Sequence, residues 1–210
     1  MLRGLVWRLS TFVACARLRR AGAQLGRNLR FYGLPIASGD LRRLRLGDNV
    51  AMINRPEGTA LGVRAPTILR ILGPDGRIDI GADTGISGGV VCSAAGVTIG
   101  RRCLIGADVM IFDTDFHNTA AEGRRYAAPD WPAISRPVVI EDDVFVGTGS
   151  KVMKGTHIGR GSIIGAGSLV TGVIPPFSIA VGNPARVVRS IEPGASAAAM
   201  PSPEDVADLG

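Results

Sequence analysis

The fold of this protein is decided by residues 140–174, which read IEDDVFVGTGSKVMKGTHIGRGSIIGAGSLVTGVI. An aliphatic residue recurs there at every sixth position, in the series Ile140, Val146, Val152, Ile158, Ile164 and Val170. A second, mostly smaller side chain, also expected to point inward, follows four residues after each of these, in the series Val144, Ser150, Thr156, Ser162, Ser168 and Ile174. A period of six with glycine-rich corners is typical of a coil of very short strands in which every sixth side chain points inward. Three such repeats would close one triangular turn of the coil.

Length and composition agree with a narrow core. A chain of 210 residues corresponds to one or two domains, and a hydrophobic content of 46% is enough for a sizeable core. Aromatic residues make up only 5% of the chain, whereas glycine occurs 29 times. The interior is therefore expected to hold aliphatic and small side chains, unlike that of a β-sandwich or a helical bundle.

The net charge of +6 comes almost entirely from arginine, because Lys151 and Lys154 are the only lysines. Such an excess is compatible with nucleic acid, a membrane surface or a phosphorylated ligand. The basic residues are dispersed and no nucleic-acid-binding motif accompanies them, so no nucleic acid partner is expected. Cys15, Cys92 and Cys103 lack metal-site spacing, which favours a reduced protein in the cytoplasm.

Residues 1–20 are predicted to form an amphipathic N-terminal helix. Apolar residues recur there at helical spacing, in the series Leu2, Leu5, Val6, Leu9, Phe12 and Val13, with arginines around them. The segment is too short, and too interrupted by Arg8, to span a bilayer, and its apolar run is weak for a signal peptide. Two roles stay open: a cap over the open end of the coil, or peripheral contact with an anionic membrane at its inner face.

The rest of the chain divides into three parts. Residues 21–79 contain loose hexads and are expected to form irregular N-terminal coils, whereas residues 80–191 carry the regular repeat. A loop at 113–138 interrupts this repeat, and a loop of that length is uncommon inside a tight coil unless it is functional. Residues 192–210 are rich in alanine, proline and serine and are expected to be a disordered tail.

Three motifs carry a resemblance to a known family. They are the hexads, the loop motif DTDFH at 113–117, and the run IIGAGSLVT at 163–171 followed by GNPAR at 182–186. In this combination the chain resembles the hexapeptide-repeat acyltransferases, and most closely the sugar O-acetyltransferases of the maltose/galactoside and polysaccharide-biosynthesis type. The resemblance implies an all-β fold, a left-handed parallel β-helix, assembled as a homotrimer with active sites between subunits. It also implies acetyl-CoA as acyl donor and a saccharide hydroxyl as acceptor.

The candidate general base is a histidine. Acyl transfer to a hydroxyl requires removal of the hydroxyl proton as the oxygen attacks, and neutral imidazole is suited to this near neutral pH. His157 lies in a regular hexad and is expected to face solvent, whereas His117 lies in the loop, at the position the family uses for its base. Asp115, Asp113 or a backbone carbonyl can orient the His117 ring. The alternative is that the two aspartates cap the loop turn.

Further substrate contacts are expected around this base. Asn118 can bind the acceptor or stabilise the loop, and the hydroxyls of Ser87 and Ser93 are candidate donors to the reacting substrate, the alternative being ordinary corner serines. By the family pattern, the coenzyme A groove is lined by Thr148, Ala166 and Thr171, and the phosphates meet Arg186 and Arg189. Gly172 and Phe145 depart from the lysine and tryptophan that many relatives carry at these positions.

Other functions stay open at this stage. An acyltransferase acting on an amino sugar, a drug or another small acceptor fits the same motifs, and so, less well, does a non-catalytic β-helix scaffold. A zinc carbonic anhydrase with this kind of coil needs three histidine ligands, and the chain has only two histidines. No metal is therefore expected.

Overall fold

The computed structural model describes residues 2–117, 121–122, 124–126 and 134–192. A single α-helix in this part of the chain, α1 (Leu2–Arg20), precedes a long series of short strands that pair in parallel. The predicted all-β fold, a parallel β-helix of hexapeptide repeats with a short N-terminal helix, is confirmed. Asn118 and the tail beyond Glu192 lie outside the described residues.

The strands form three sheets, which are the three faces of the coil. Sheet A contains β1 (Gln24–Leu25), β4 (Leu44–Leu46), β7 (Ile78–Ile80), β10 (Val97–Ile99), β13 (Val138–Ile140), β16 (His157–Ile158) and β19 (Val173–Ile174). Sheet B contains β2 (Arg30–Tyr32), β5 (Ala51–Ile53), β8 (Gly85–Ser87), β11 (Leu104–Ile105), β14 (Phe145–Val146), β17 (Ile163–Ile164), β20 (Ser178–Gly182) and β21 (Ala185–Ser190). Sheet C contains β3 (Ile36–Ser38), β6 (Ile68–Ile71), β9 (Val90–Ser93), β12 (Met110–Phe112), β15 (Lys151–Val152) and β18 (Leu169–Val170). Only β21, which pairs with β20, runs antiparallel to its neighbour within these sheets.

The pairing register shows that three hexads make one turn of the coil. In sheet A, Val139 pairs with His157, and in sheet C, Lys151 pairs with Leu169. Partners in both pairs are eighteen residues apart in the sequence. Each coil therefore visits sheets A, B and C once, and every sixth side chain returns to the same depth in the core.

The core is a column of aliphatic side chains with polar corners. The six aliphatic residues of the opening series are all fully buried, namely Ile140, Val146, Val152, Ile158, Ile164 and Val170. The second inward position is also buried, although it is often polar. There the hydroxyls of Ser150, Thr156 and Ser162 donate to backbone carbonyls of the following coil at 3.0, 3.1 and 2.8 Å. These hydrogen bonds remove the penalty of burying a hydroxyl and tie adjacent coils together.

The corners between coils leave little room for side chains. A Cβ atom at Gly147 would lie 2.6 Å from the backbone nitrogen of Ala166 in the next coil, so only glycine fits. At the corner between sheets A and B, Asp83, Arg102 and Asp143 adopt positive φ angles of 61, 55 and 62°. The same left-handed turn thus recurs in successive coils.

The coil begins well before the regular hexads. Strands β1, β2 and β3 already form a turn, and they pair with β4, β5 and β6. The loose spacing of residues 21–79 arises from longer corners between the strands, two of which contain the 3₁₀ helices Leu41–Arg43 and Pro56–Gly58. A third 3₁₀ turn, Arg124–Tyr126, lies in the loop that follows β12.

Helix α1 covers the N-terminal end of the core. Ala14, Cys15 and Leu18 are buried in the same hydrophobic cluster as the coil. Thr11 accepts a hydrogen bond from the Phe31 amide at 2.9 Å, and the Ser10 hydroxyl donates to the Phe31 carbonyl. Among the described residues, no helix has the length and hydropathy required to cross a bilayer.

Candidate active site

The loop that interrupts the coil leaves sheet C after β12 and returns at β13. Thr114 and Ser135 form an antiparallel bridge, and their hydroxyls are hydrogen bonded at 2.9 Å. The Arg136 amide donates to the Asp113 carbonyl at 2.8 Å. The departing and returning segments are therefore joined at the root of the loop, which fixes the chain just before His117.

Asp113 is fully buried and holds the preceding coil. One carboxylate oxygen accepts from the Ser93 hydroxyl at 2.8 Å and from the amides of Ala95 and Gly96 at 2.8 and 2.6 Å. The other accepts from the Ala94 amide at 2.6 Å. A carboxylate with four donors is well satisfied without solvent. Asp113 and Ser93 are thus buried against each other, and neither side chain is exposed at the surface.

The buried Asp113 carboxylate also affects the pKa of the nearby Cys92 thiol. Desolvation, with a contribution from the Asp113 carboxylate, raises the pKa of Cys92 to about 11. Cys92 is therefore a neutral, buried side chain near pH 7, and thiolate chemistry at this position is not expected.

Asp115 forms an ion pair with Lys154, a residue of the next coil. The two side chains are about three-quarters buried, with exposed fractions of 25 and 24%. Within the described residues, the Asp115 carboxylate thus bonds the lysine ammonium and not the His117 ring. The ion pair links the loop to the next coil, and orientation of His117 by Asp115 stays a prediction.

His117 is exposed at the point where the loop leaves this anchored root. The preceding residue, Phe116, has a positive φ of 63°, and its ring packs on Phe112 with the centroids 5.6 Å apart. His157, by contrast, lies on the outer side of sheet A and bonds Glu141 at 2.7 Å. That bond and the Arg160 amide hold the pKa of Glu141 below its usual range. His157 thus belongs to a hydrogen-bonded surface pair on sheet A and not to the loop that carries His117.

The residues expected to hold coenzyme A lie mostly along one edge of the coil, between sheets B and C. The amide after Ala166 donates to the Thr148 carbonyl at 2.8 Å, so these two residues occupy successive coils. Arg186 pairs with Val181 at the end of β20 and extends the edge by one more strand. Arg186 is exposed, as is Arg189 further along β21.

The remaining expected residues divide between two edges. Ser87 ends β8 and is half-buried at the edge that carries Thr148. Thr171 follows β18 and lies at the opposite edge, between sheets C and A, where the loop with His117 also leaves the coil. In one chain the candidate base and most of the candidate coenzyme A contacts are thus on opposite sides of sheet C.

Lys154 is the functional candidate that sequence reasoning missed. The strand register contains the signal, because Ile111 pairs with Val152. Extending that pairing by two residues sets Lys154 beside Asp113, at the root of the loop. The hexad pattern could therefore have identified this lysine as a neighbour of the candidate catalytic segment.

Comparison with known proteins identifies the repeat directly. The model of the bacterial transferase hexapeptide (six repeats) matches residues 137–172, and that of the hexapeptide repeat of succinyl-transferase matches residues 96–111. A solved hexapeptide-repeat-containing acetyltransferase from Vibrio cholerae is 25% identical, with a TM-score of 0.57, over 91% of this chain and 92% of that one. The fold is thus shared over almost the whole length of both chains.

Curated relatives are similar over shorter regions. A 2,3,4,5-tetrahydropyridine-2,6-dicarboxylate N-acetyltransferase from Halalkalibacterium halodurans is 38% identical over 95 residues, which are 45% of this chain and 33% of the relative. The polysialic acid O-acetyltransferase of Escherichia coli O1:K1 is 36% identical over 115 residues, or 54% of this chain and 36% of the relative. The chain spans about a third of the length of these two relatives. It is a hexapeptide-repeat β-helix protein, similar in sequence and fold to the acetyltransferases that carry this repeat.

Proposed function

We propose that the protein transfers an acetyl group from acetyl-CoA to a hydroxyl group of a saccharide, with His117 as the general base. The observation that carries the proposal is the anchoring of the loop: buried Asp113 and the Asp115–Lys154 pair fix the backbone on which an exposed imidazole is carried. Similarity to a polysialic acid O-acetyltransferase and to an acetyltransferase from Vibrio cholerae supports the reaction class.

The chemistry needs only one titratable group of this chain. A neutral imidazole nitrogen of His117 takes the proton of the acceptor hydroxyl while the hydroxyl oxygen attacks the carbonyl carbon of the thioester. The tetrahedral intermediate then collapses, the carbon–sulfur bond breaks, and the thiolate of coenzyme A takes the proton from the imidazolium. The acetyl ester and free coenzyme A are the products, and no other co-reactant is required.

Coenzyme A would lie along the edge that carries Thr148 and Ala166. Successive coils stack along this edge through backbone hydrogen bonds. Arg186 stands exposed at its end beside Val181, and Arg189 is exposed further along β21 beside Ile179. The guanidinium groups of both are suited to phosphate. At the opposite edge, between sheets C and A, the chain has Gly172 where many relatives carry lysine, so the lysine cation is absent there.

A homotrimer would complete the site. His117 and the Thr148 edge flank sheet C on opposite sides, so a neighbouring chain can bring one edge to the other. Sheet B also exposes apolar side chains that need a cover: Leu104 and Phe145 pair in register and are 60 and 41% exposed. We expect this strip to be buried between chains in a cytoplasmic trimer.

Coenzyme A release, measured with acetyl-CoA and a panel of saccharides, tests the proposal. The His117→Asn variant should lose about a hundredfold or more in kcat, because general base catalysis is typically worth that much. The matched control is His157→Asn, which removes the other histidine and should keep its turnover. Equal turnover by the His117→Asn and native proteins would exclude the assigned base.

A second candidate function is N-acetylation of an amino acceptor. The similarity to the tetrahydropyridine-dicarboxylate N-acetyltransferase favours it. Amino sugars and their hydroxyl counterparts in the same acceptor panel distinguish the two, since amide products survive mild alkali and ester products do not. An amide as the preferred product would replace the saccharide ester in the proposal.

A further inference from the structure

Helix α1 has two apolar faces, of which only one meets the coil. Ala14, Cys15 and Leu18 are buried against the first coil. On the opposite side, Leu9 and Phe12 are 63 and 73% exposed. Because they are three residues apart, these two side chains are neighbours on the helix surface and form one apolar patch, the kind of feature that marks an interaction site when polar residues surround it.

The charge around this outer face is positive and is not balanced locally. Helix α1 contains no acidic residue, and its exposed cations are Arg8, Arg17, Arg19 and Arg20. None of these four forms an ion pair within the described part of the chain. By contrast, Arg27, Arg101 and Arg102 of the coil pair with aspartates of a neighbouring coil. Helix α1 therefore carries four exposed cations that no carboxylate in the described part of the chain neutralises.

We propose that the outer face of α1, formed by Leu9 and Phe12 with the surrounding arginines, binds the surface of a membrane that contains anionic phospholipid. Leucine and phenylalanine side chains at the level of the headgroups leave water, and guanidinium groups bind the phosphates. The helix lies in the interface and does not cross it, in keeping with its hydropathy. The proposal does not depend on the proposed enzymatic function.

A second copy of the chain is a poorer occupant for this face. Two identical helices packed on their outer faces would bring the arginines of both helices together, with no acidic side chain on either helix. An anionic lipid surface supplies the missing negative charge. Because α1 covers one end of the coil, membrane contact there would also leave the sheets and the loop carrying His117 accessible.

Co-sedimentation of the full chain with vesicles tests the proposal. Vesicles of equimolar phosphatidylcholine and phosphatidylglycerol should bind the protein, and vesicles of phosphatidylcholine alone should not. Binding should weaken as salt is added. Replacing Arg8 or Arg19 by glutamine should weaken it about five-fold for each arginine near the surface.

The decisive variant is Leu9→Ser with Phe12→Ser. Both side chains are exposed, so the thermal transition followed by circular dichroism should match that of the native protein while vesicle binding is lost. Leu61→Ser is the apolar control, because Leu61 is 77% exposed but lies on a corner of the coil. Arg64→Gln is the charge control, since Arg64 is exposed and pairs with Asp108. Both controls should bind vesicles as the native protein does.

Three outcomes would overturn the proposal. The first is equal binding to neutral and anionic vesicles, or to neither. The second is undiminished binding by the folded Leu9→Ser, Phe12→Ser variant. The third is a lower oligomer mass for that variant in sedimentation without lipid, which would make this face an interface between copies of the chain.

Discussion

Replacing Asp113 by alanine should destabilise the protein strongly, because its carboxylate is the acceptor for four donors. Those donors are the Ser93 hydroxyl and the amides of Ala94, Ala95 and Gly96. Ser93 and Gly96 are buried, so their donors would be left without a partner. The other two amides are half-buried and can regain water.

The magnitude follows from the two buried donors. An unsatisfied buried donor costs about 1–3 kcal/mol, which gives roughly 2–6 kcal/mol for the pair. Removing Asp113 also removes the cost of burying a carboxylate, which offsets part of this loss. We expect the free energy of unfolding to fall by about 3 kcal/mol, a large share of the 5–15 kcal/mol that is typical of a domain.

Urea unfolding at a fixed protein concentration measures this loss. Asp113→Asn retains one acceptor oxygen and should lose less than Asp113→Ala. The surface control is Asp75→Ala, which removes an exposed aspartate and should change the free energy of unfolding by no more than about 0.5 kcal/mol. An Asp113→Ala variant as stable as this control would refute the structural role. If that variant also lost acetyl transfer, contact with the acceptor would be the better assignment.

Two further predictions concern the loop anchor and a surface pair. Lys154→Met should lower kcat about tenfold or more with little change in KM for acetyl-CoA, because it releases the segment that positions His117. Lys154→Arg should restore most of the rate, and full activity of Lys154→Met would remove the anchoring role. The pKa of Glu141 is depressed in the folded protein by His157, so this carboxylate contributes stability that is present above its unfolded pKa and is lost as the pH falls through its folded pKa. The midpoint of thermal unfolding should therefore decrease when the native protein is acidified below about pH 4.5, and the decrease should be smaller in the Glu141→Gln variant. The same pH dependence in both proteins would contradict this prediction.

The coil itself could be predicted because its signal is local and repeated. The six-residue period gives every inward aliphatic position from Ile140 to Val170, and all of them are buried as expected. The polar residues of the second series were predicted to point inward as well. The six-residue period does not predict that their hydroxyls bond to carbonyls of the next coil, because those acceptors lie thirteen to fifteen residues later in the chain.

The candidate site was only partly predictable for a related reason. The break in the repeat identifies the loop and its histidine, but the motif DTDFH reads the same whether Asp113 points inward or outward. Its partners are seventeen to twenty residues earlier, in the preceding coil. Similarly, Asp115 is two residues from His117 in sequence, yet its carboxylate forms an ion pair with Lys154 of the next coil. Contacts between coils therefore decide which acidic residue is available, and a single stretch of sequence does not contain them.

The positions of the insertions have a consequence for how such a protein can change over evolutionary time. The 3₁₀ helices Leu41–Arg43 and Pro56–Gly58, and the loop that follows β12, all leave the coil at corners. A segment added there does not interrupt the pairing of the strands above and below it. Loops of this chain can therefore be lengthened, shortened or exchanged while the coil keeps its register, so that substrate preference and architecture are inherited as separable traits.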